Sequence, residues 1–127
     1  MAKEKKVILI VDDEKELTDI LAFKFEEEGF SVVSAYDGED GLQAALKHRP
    51  DMILLDIIMP KMDGITMLEK LRENVWGKTA KVIILTNLND WSDTNKAIEH
   101  RVHDVLIKSD WKIADVVKKV KSKLDMV

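Results

Sequence analysis

The stretch VILIVDDE, residues 7–14, decides how this chain is read. Five consecutive aliphatic residues, 7–11, stop abruptly at Asp12 and Asp13. A continuous apolar run of that length suits a strand covered on both faces, as in a parallel sheet. Four more short apolar runs follow, at residues 32–35, 52–55, 82–85 and 105–107. Segments with helical spacing separate them. Leu17, Ile20, Leu21 and Phe25 share one face of a first predicted helix, which stops at Gly29. Leu42, Ala45 and Leu46 mark a second, opened near Asp37 and closed before Pro50. Ile65, Leu68 and Leu71 mark a third, after the Asp63–Gly64 turn. A weaker fourth covers 94–100, and Ile113, Val116, Val117, Val120 and Leu124 mark the fifth. Strand and helix alternate five times. Such alternation implies an α/β domain: a doubly wound, five-stranded parallel sheet with right-handed crossovers and five helices on both faces. The expectation is one domain over residues 1–127, with no output domain in the chain.

Composition narrows the class further. The 127 residues carry 20 Lys+Arg against 24 Asp+Glu, a net charge of −4. That balance argues against duplex nucleic acid as a partner, because phosphate neutralisation calls for a basic face. The absence of cysteine excludes a disulfide scaffold, thiolate zinc, iron–sulfur clusters and thiol catalysis. No apolar run approaches the ~18 residues of a membrane span, and the apolar stretch after MAKEKK is too short for a signal peptide. The expectation is a soluble, cytoplasmic protein with no membrane contact.

The strand ends carry the chemistry. The first strand runs into Asp12–Asp13, the third into Asp56, the fourth into Thr86 and the fifth into Lys108. In an open α/β sheet, ligands sit beyond the carboxyl ends of the strands, at the topological switch point. In the common order 2-1-3-4-5 the first and third strands are neighbours, so Asp12, Asp13 and Asp56 meet. Three carboxylates packed together resist ionising together. Lys108 offsets one charge, and a hard divalent cation offsets the rest. Oxygen-only ligands favour Mg²⁺ or Mn²⁺ over zinc, and Mg²⁺ completes its shell with water and phosphate. A carboxylate can attack phosphorus to form an acyl phosphate. Asp56 stands alone at the central strand and is the natural nucleophile. Thr86 and Lys108 would contact the phosphoryl oxygens, whose charge must be neutralised during transfer.

The joint pattern VDDE (11–14), LLDIIMPKMDG (54–64), Thr86 and Lys108 resembles the receiver domain of two-component response regulators, over residues 7–124. The resemblance implies a flavodoxin-like fold. It implies that Asp56 accepts phosphate from a phosphohistidine of a sensor histidine kinase or histidine phosphotransfer protein. It further implies that Asp13 and Asp56 hold Mg²⁺ with the Ile58 backbone carbonyl, that Asp12 acts mostly through a metal-bound water, and that the signal leaves through an unidentified downstream protein. Movement of Thr86 toward the phosphate would reshape the surface of the fourth helix, fifth strand and fifth helix. The first helix would dock the kinase.

This chain departs from that pattern at several places. Val105 stands where the family usually carries an aromatic residue. Ser109 replaces the usual proline after the lysine, so a trans peptide is expected. Asn87 replaces a small residue, and Arg101, Val102 and His103 replace a small-Gly-small turn. Ile58 and Leu88, two residues past Asp56 and Thr86, border the family's path for attacking water. Both are apolar and cannot orient water, which predicts slow hydrolysis of the acyl phosphate.

Plainer readings stand beside these. Asp12–Asp13 could be a turn and helix cap. Lys108 could be a solvated side chain and Thr86 a local hydroxyl. His100 and His103 lack a third spaced ligand and read as a solvated helix end. The basic face of the last helix (Lys112, Lys118, Lys119, Lys121, Lys123) reads as solvated surface or a contact for an acidic partner. Of Trp91 and Trp111, one is expected in the core. The competing functions are an adaptor that binds proteins without phosphorylation and a metal phosphohydrolase. The latter usually needs a second carboxylate where Ile58 stands. A flavin carrier is disfavoured, because Asp12–Asp13 would repel a phosphate.

Overall fold

The computed structural model describes residues 5–87 and 91–125, with residues 91–94 as backbone. Leu88 and the Trp91 side chain, both singled out above, lie outside the described residues. The strands are β1 (Val7–Val11), β2 (Ser31–Ala35), β3 (Met52–Leu55), β4 (Val82–Thr86) and β5 (Asp104–Ile107). The helices are α1 (Lys15–Glu27), α2 (Gly38–His48), α3 (Gly64–Glu73), α4 (Trp91–Glu99) and α5 (Ile113–Lys123). The sheet is wholly parallel, in the order β2-β1-β3-β4-β5. This is the flavodoxin-like arrangement.

Continuous apolar strands give two cores because successive side chains point to opposite faces. Ile8 and Ile10 of β1, Met52 and Leu54 of β3, and Ile83 and Leu85 of β4 pack with Leu21 and Phe25 of α1 and with Val116, Val117 and Val120 of α5. Leu9 and Val11, Ile53 and Leu55, and Val82 and Ile84 pack on the other face with Ala45 of α2, Ile65, Leu68 and Leu71 of α3, and Ala97 of α4. The central strands β1, β3 and β4 are therefore apolar at nearly every position, while the edge strands β2 and β5 are only half-buried.

Local signals set the helix ends. Gly29 takes φ +94° after α1, and the Phe30 N–H returns to the Phe25 carbonyl, closing the helix. Asp37 caps α2 by accepting from the Asp40 N–H at 2.8 Å, and Asp63 caps α3 by accepting from the Thr66 N–H at 2.8 Å. Arg49, in the left-handed region, ends α2 before Pro50. Two expectations are corrected. Ile20 is 55% exposed, because the buried stripe of α1 runs through Thr18, Leu21 and Phe25, a turn apart, and Ile20 falls beside it. The fourth helix starts at Trp91 rather than 94, since a polar first turn carries no apolar period to read.

One buried charge ties the far end of the α-layer together. Arg72 of α3 is 8% exposed. Its guanidinium donates to the carbonyls of Gly77 (2.7 Å), Ala80 (2.7 Å), His100 (2.8 Å) and Arg101 (3.0 Å). It thereby joins the 3-10 turn Gly77–Thr79 to the C-terminus of α4. Arg101 holds φ +60° in the turn before β5.

Candidate functional site

Parallel register brings the site together. Val11 of β1 is opposite Leu55 of β3, so the next residues, Asp12 and Asp56, leave the sheet side by side. The Asp56 N–H donates to the Val11 carbonyl at 2.9 Å, and the Asp12 N–H to the Ala35 carbonyl at 3.1 Å. Thr86 pairs with Ile107, which places Lys108 at the same edge. The start of α3 is drawn under Asp56. The Gly64 N–H donates to the Ile57 carbonyl at 2.7 Å, and a Cβ at Gly64 would collide with the Asp56 carbonyl oxygen. Glycine is therefore required there by close backbone approach.

Asp12, Asp56 and Thr86 are buried, and Asp13 is exposed at the mouth. One carboxylate oxygen from each of Asp12, Asp13 and Asp56 lies within 4.8 Å of the others. Among the described residues this is the one acidic or histidine cluster close enough to hold a metal ion. An all-oxygen donor set at that spacing fits a hard divalent cation. The Lys108 side chain, 8% exposed, turns its ammonium into the cluster. It sits 2.6 Å from Asp12 Oδ2, 2.7 Å from Glu14 Oε2 and 3.2 Å from Asp56 Oδ2. Asp56 Oδ1 accepts from the Ile57 N–H at 2.7 Å, and Asp12 Oδ1 from the Glu14 N–H at 2.9 Å.

The electrostatics follow from this packing. Burial raises the Asp12 pKa, although Lys108 and the Glu14 N–H pull it back. Burial also works against the Lys108 charge, but the carboxylates of Asp12, Glu14 and Asp56 override it and hold the ammonium above its ordinary pKa. The lysine ammonium is thus stabilised by the carboxylates it faces.

Of the residues named from sequence, Asp12, Asp13, Asp56, Thr86 and Lys108 share the carboxyl edge of the sheet. Ile58 lies on the loop after Asp56 with its side chain 61% exposed, lining a shallow cleft with Met59, Ile65 and Lys96. The lysine is neither solvated nor misdirected despite Ser109, and the peptide between them is trans. Asn87 is exposed, and Val105 is half-buried against the core on the α2–α4 face. Glu14 was missed as a partner of Lys108. Its signal was the third acid in the run after the first strand.

The remaining features resolve plainly. His100 faces Glu69 at 4.0 Å, while His103 Nδ1 accepts from the Val82 N–H at 3.3 Å, so the two histidines do not converge. On α5, Lys119 pairs with Asp104 at 3.2 Å and lies over the half-buried Trp111 ring, and Lys121 pairs with Glu28 at 3.2 Å. Trp111 packs against the α1–α5 core.

Comparison with known proteins places this geometry in context. The family model for the response regulator receiver domain matches residues 8–121. The response regulator ArlR of Staphylococcus aureus (strain Mu50) is 34% identical over 101 residues, 80% of this chain and 45% of that protein. The chain thus spans under half the length of the curated relatives it matches. A CheY-like receiver domain protein from Methanospirillum hungatei superposes with TM-score 0.89 at 28% identity, covering 96% of this chain and 95% of that one. The CheX–CheY–BeF3–Mg complex from Borrelia burgdorferi matches with TM-score 0.83 at 32% identity, covering 93% of this chain and 88% of the other.

Proposed function

Because the chain belongs to the response regulator receiver domain family of two-component systems, we propose that it is a phosphoacceptor switch whose accepting residue is Asp56. The donor is a phosphohistidine of a sensor histidine kinase or histidine phosphotransfer protein. An Asp56 oxygen forms the new bond to phosphorus as the phosphorus–nitrogen bond breaks, and the imidazole departs with that electron pair. Asp13, Asp56 and the Ile58 backbone carbonyl would hold Mg²⁺ or Mn²⁺, with Asp12 acting mostly through water. The metal supplies neutralising charge to the phosphoryl oxygens when bound. Lys108 pairs with a phosphoryl oxygen, and Thr86 donates its hydroxyl to another. The phosphorylated form signals in the cytoplasm through contacts with a downstream protein. The Borrelia burgdorferi relative, solved with BeF3 and Mg, supports carrying this chemistry over.

The observation that carries the reading is the position of the Lys108 ammonium. It lies 3.2 Å from Asp56 and 2.6 Å from Asp12, although 52 residues separate Lys108 from Asp56. A solvated lysine has no reason to be buried among carboxylates. Incubation with Mg²⁺ and acetyl phosphate, followed by intact mass, tests the proposal. Wild type gains one phosphoryl group, while Asp56→Asn and chelator-treated protein gain none. An unmodified wild type leaves the adaptor that works without phosphorylation.

A further inference from the structure

An ammonium has three N–H donors, and three carboxylates surround that of Lys108: Asp12, Glu14 and Asp56. Two of these belong to the trio whose oxygens converge closely enough for a cation. Glu14 does not. It occupies the N-cap position of α1, yet its side chain makes no capping bond. Its carboxylate is turned to Lys108 instead, and that side chain remains 49% exposed. Glutamate is a poor choice for capping, since its longer side chain does not fold back as Asp, Asn, Ser or Thr does. At this position its reach serves a different contact.

A cation drawn to Asp56, and through water to Asp12, competes for the carboxylates that hold the ammonium. When they turn to a cation, Lys108 must give up part of its hold on them, and the two positive charges repel. Glu14 is the one carboxylate of the three that can keep the ammonium throughout. We infer that Glu14 is a positioning residue for Lys108, holding its ammonium at the rim of the pocket so that Asp12 and Asp56 are freed for the metal while the lysine stays within reach of Asp56. This deepens the phosphoacceptor reading and rests on it. With the Glu14 contact removed, Lys108 settles on Asp12 and Asp56 and competes with the cation.

The inference separates reach from charge. Glu14→Gln keeps the length and loses the charge, whereas Glu14→Asp keeps the charge and loses one methylene of reach. Titration calorimetry of Mg²⁺ into the full chain compares wild type with both variants, each also in a Lys108→Met background. Both variants are expected to weaken Mg²⁺ binding by roughly fivefold, the factor a partly exposed ion pair supports. In Lys108→Met the same changes are expected to have little effect. The ¹⁵N signal of the Lys108 ammonium should be protected from rapid exchange in Mg²⁺-loaded wild type and lost in both variants. Glu14→Asp matching wild type, or undiminished weakening in Lys108→Met, overturns the inference: Glu14 then acts only as a nearby charge. Both results leave phosphorylation of Asp56 untouched. A wild type that binds no Mg²⁺ overturns the metal-dependent reading and this inference with it.

Discussion

Replacing Arg72 with methionine removes a buried cation while keeping a long side chain. Two of its four hydrogen bonds, to the Gly77 and Ala80 carbonyls, are buried, and each charged bond of that kind contributes about 1.5–3 kcal/mol net. The other two reach the His100 and Arg101 carbonyls where the structure is partly open, so water takes over much of their role. The Gly77 carbonyl also keeps the Ala80 N–H at 3.3 Å. Part of the loss is offset because burial, with the Arg101 charge, already depresses the Arg72 pKa and disfavours its charged form. The net cost of Arg72→Met is about 3 kcal/mol. For a chain of this length that lowers the melting temperature by roughly 10 °C. Far-UV circular dichroism during heating and urea titration reads both quantities. Arg72→Lys, with three donors for four carbonyls, should fall between. A variant melting within ~2 °C of wild type refutes the reasoning, since solvent would then replace the guanidinium at no cost.

Three other outcomes follow from the site and its surroundings. Gly64→Ala forces a Cβ against the Asp56 carbonyl and should cost roughly 2 kcal/mol while slowing acetyl phosphate labelling, read by melting and by intact mass. Ile58→Asn combined with Leu88→Glu should hasten loss of the phosphoryl group several-fold, and an unchanged decay rate contradicts the assigned water path. Burial, with Lys81, Arg72 and Lys123 nearby, holds the His103 pKa below its ordinary value. The unfolded chain therefore takes up that proton first, so stability falls as pH drops below about 6.5. Below the folded-state pKa no further loss arises from this group. His103→Gln should flatten the slope of urea midpoint against pH across that window.

The central strands were legible because burial on both faces writes an unbroken aliphatic run, as at Val7–Val11 and Met52–Leu55. The edge strands were legible only to within a residue, since Ser31 and Asp104 are polar residues at half-buried edges. Asp37 and Asp63 announced helix starts because capping is local chemistry. Ile20 misled because apolar character does not fix which side of a stripe a residue occupies. The residues at the carboxyl edge were legible for a different reason. Residues immediately after strands inherit their placement from the register, so Asp12, Asp56, Thr86 and Lys108 needed only the strand order to meet. Glu14 lies two residues beyond Asp12, and its contact depends on how Lys108 points. Arg72 left no trace in the sequence. An arginine on an amphipathic helix reads as solvated, and its burial follows from four carbonyls gathered by tertiary packing.

The most direct test asks which atom carries the phosphoryl group. Protein treated with acetyl phosphate and Mg²⁺ is reduced with borohydride, which converts an aspartyl phosphate to homoserine, and is then mapped by peptide mass spectrometry. The account predicts homoserine at position 56, absent when Mg²⁺ is withheld. Homoserine at Asp12 or Asp13, or its absence from every aspartate of a folded, Mg²⁺-loaded chain, contradicts it.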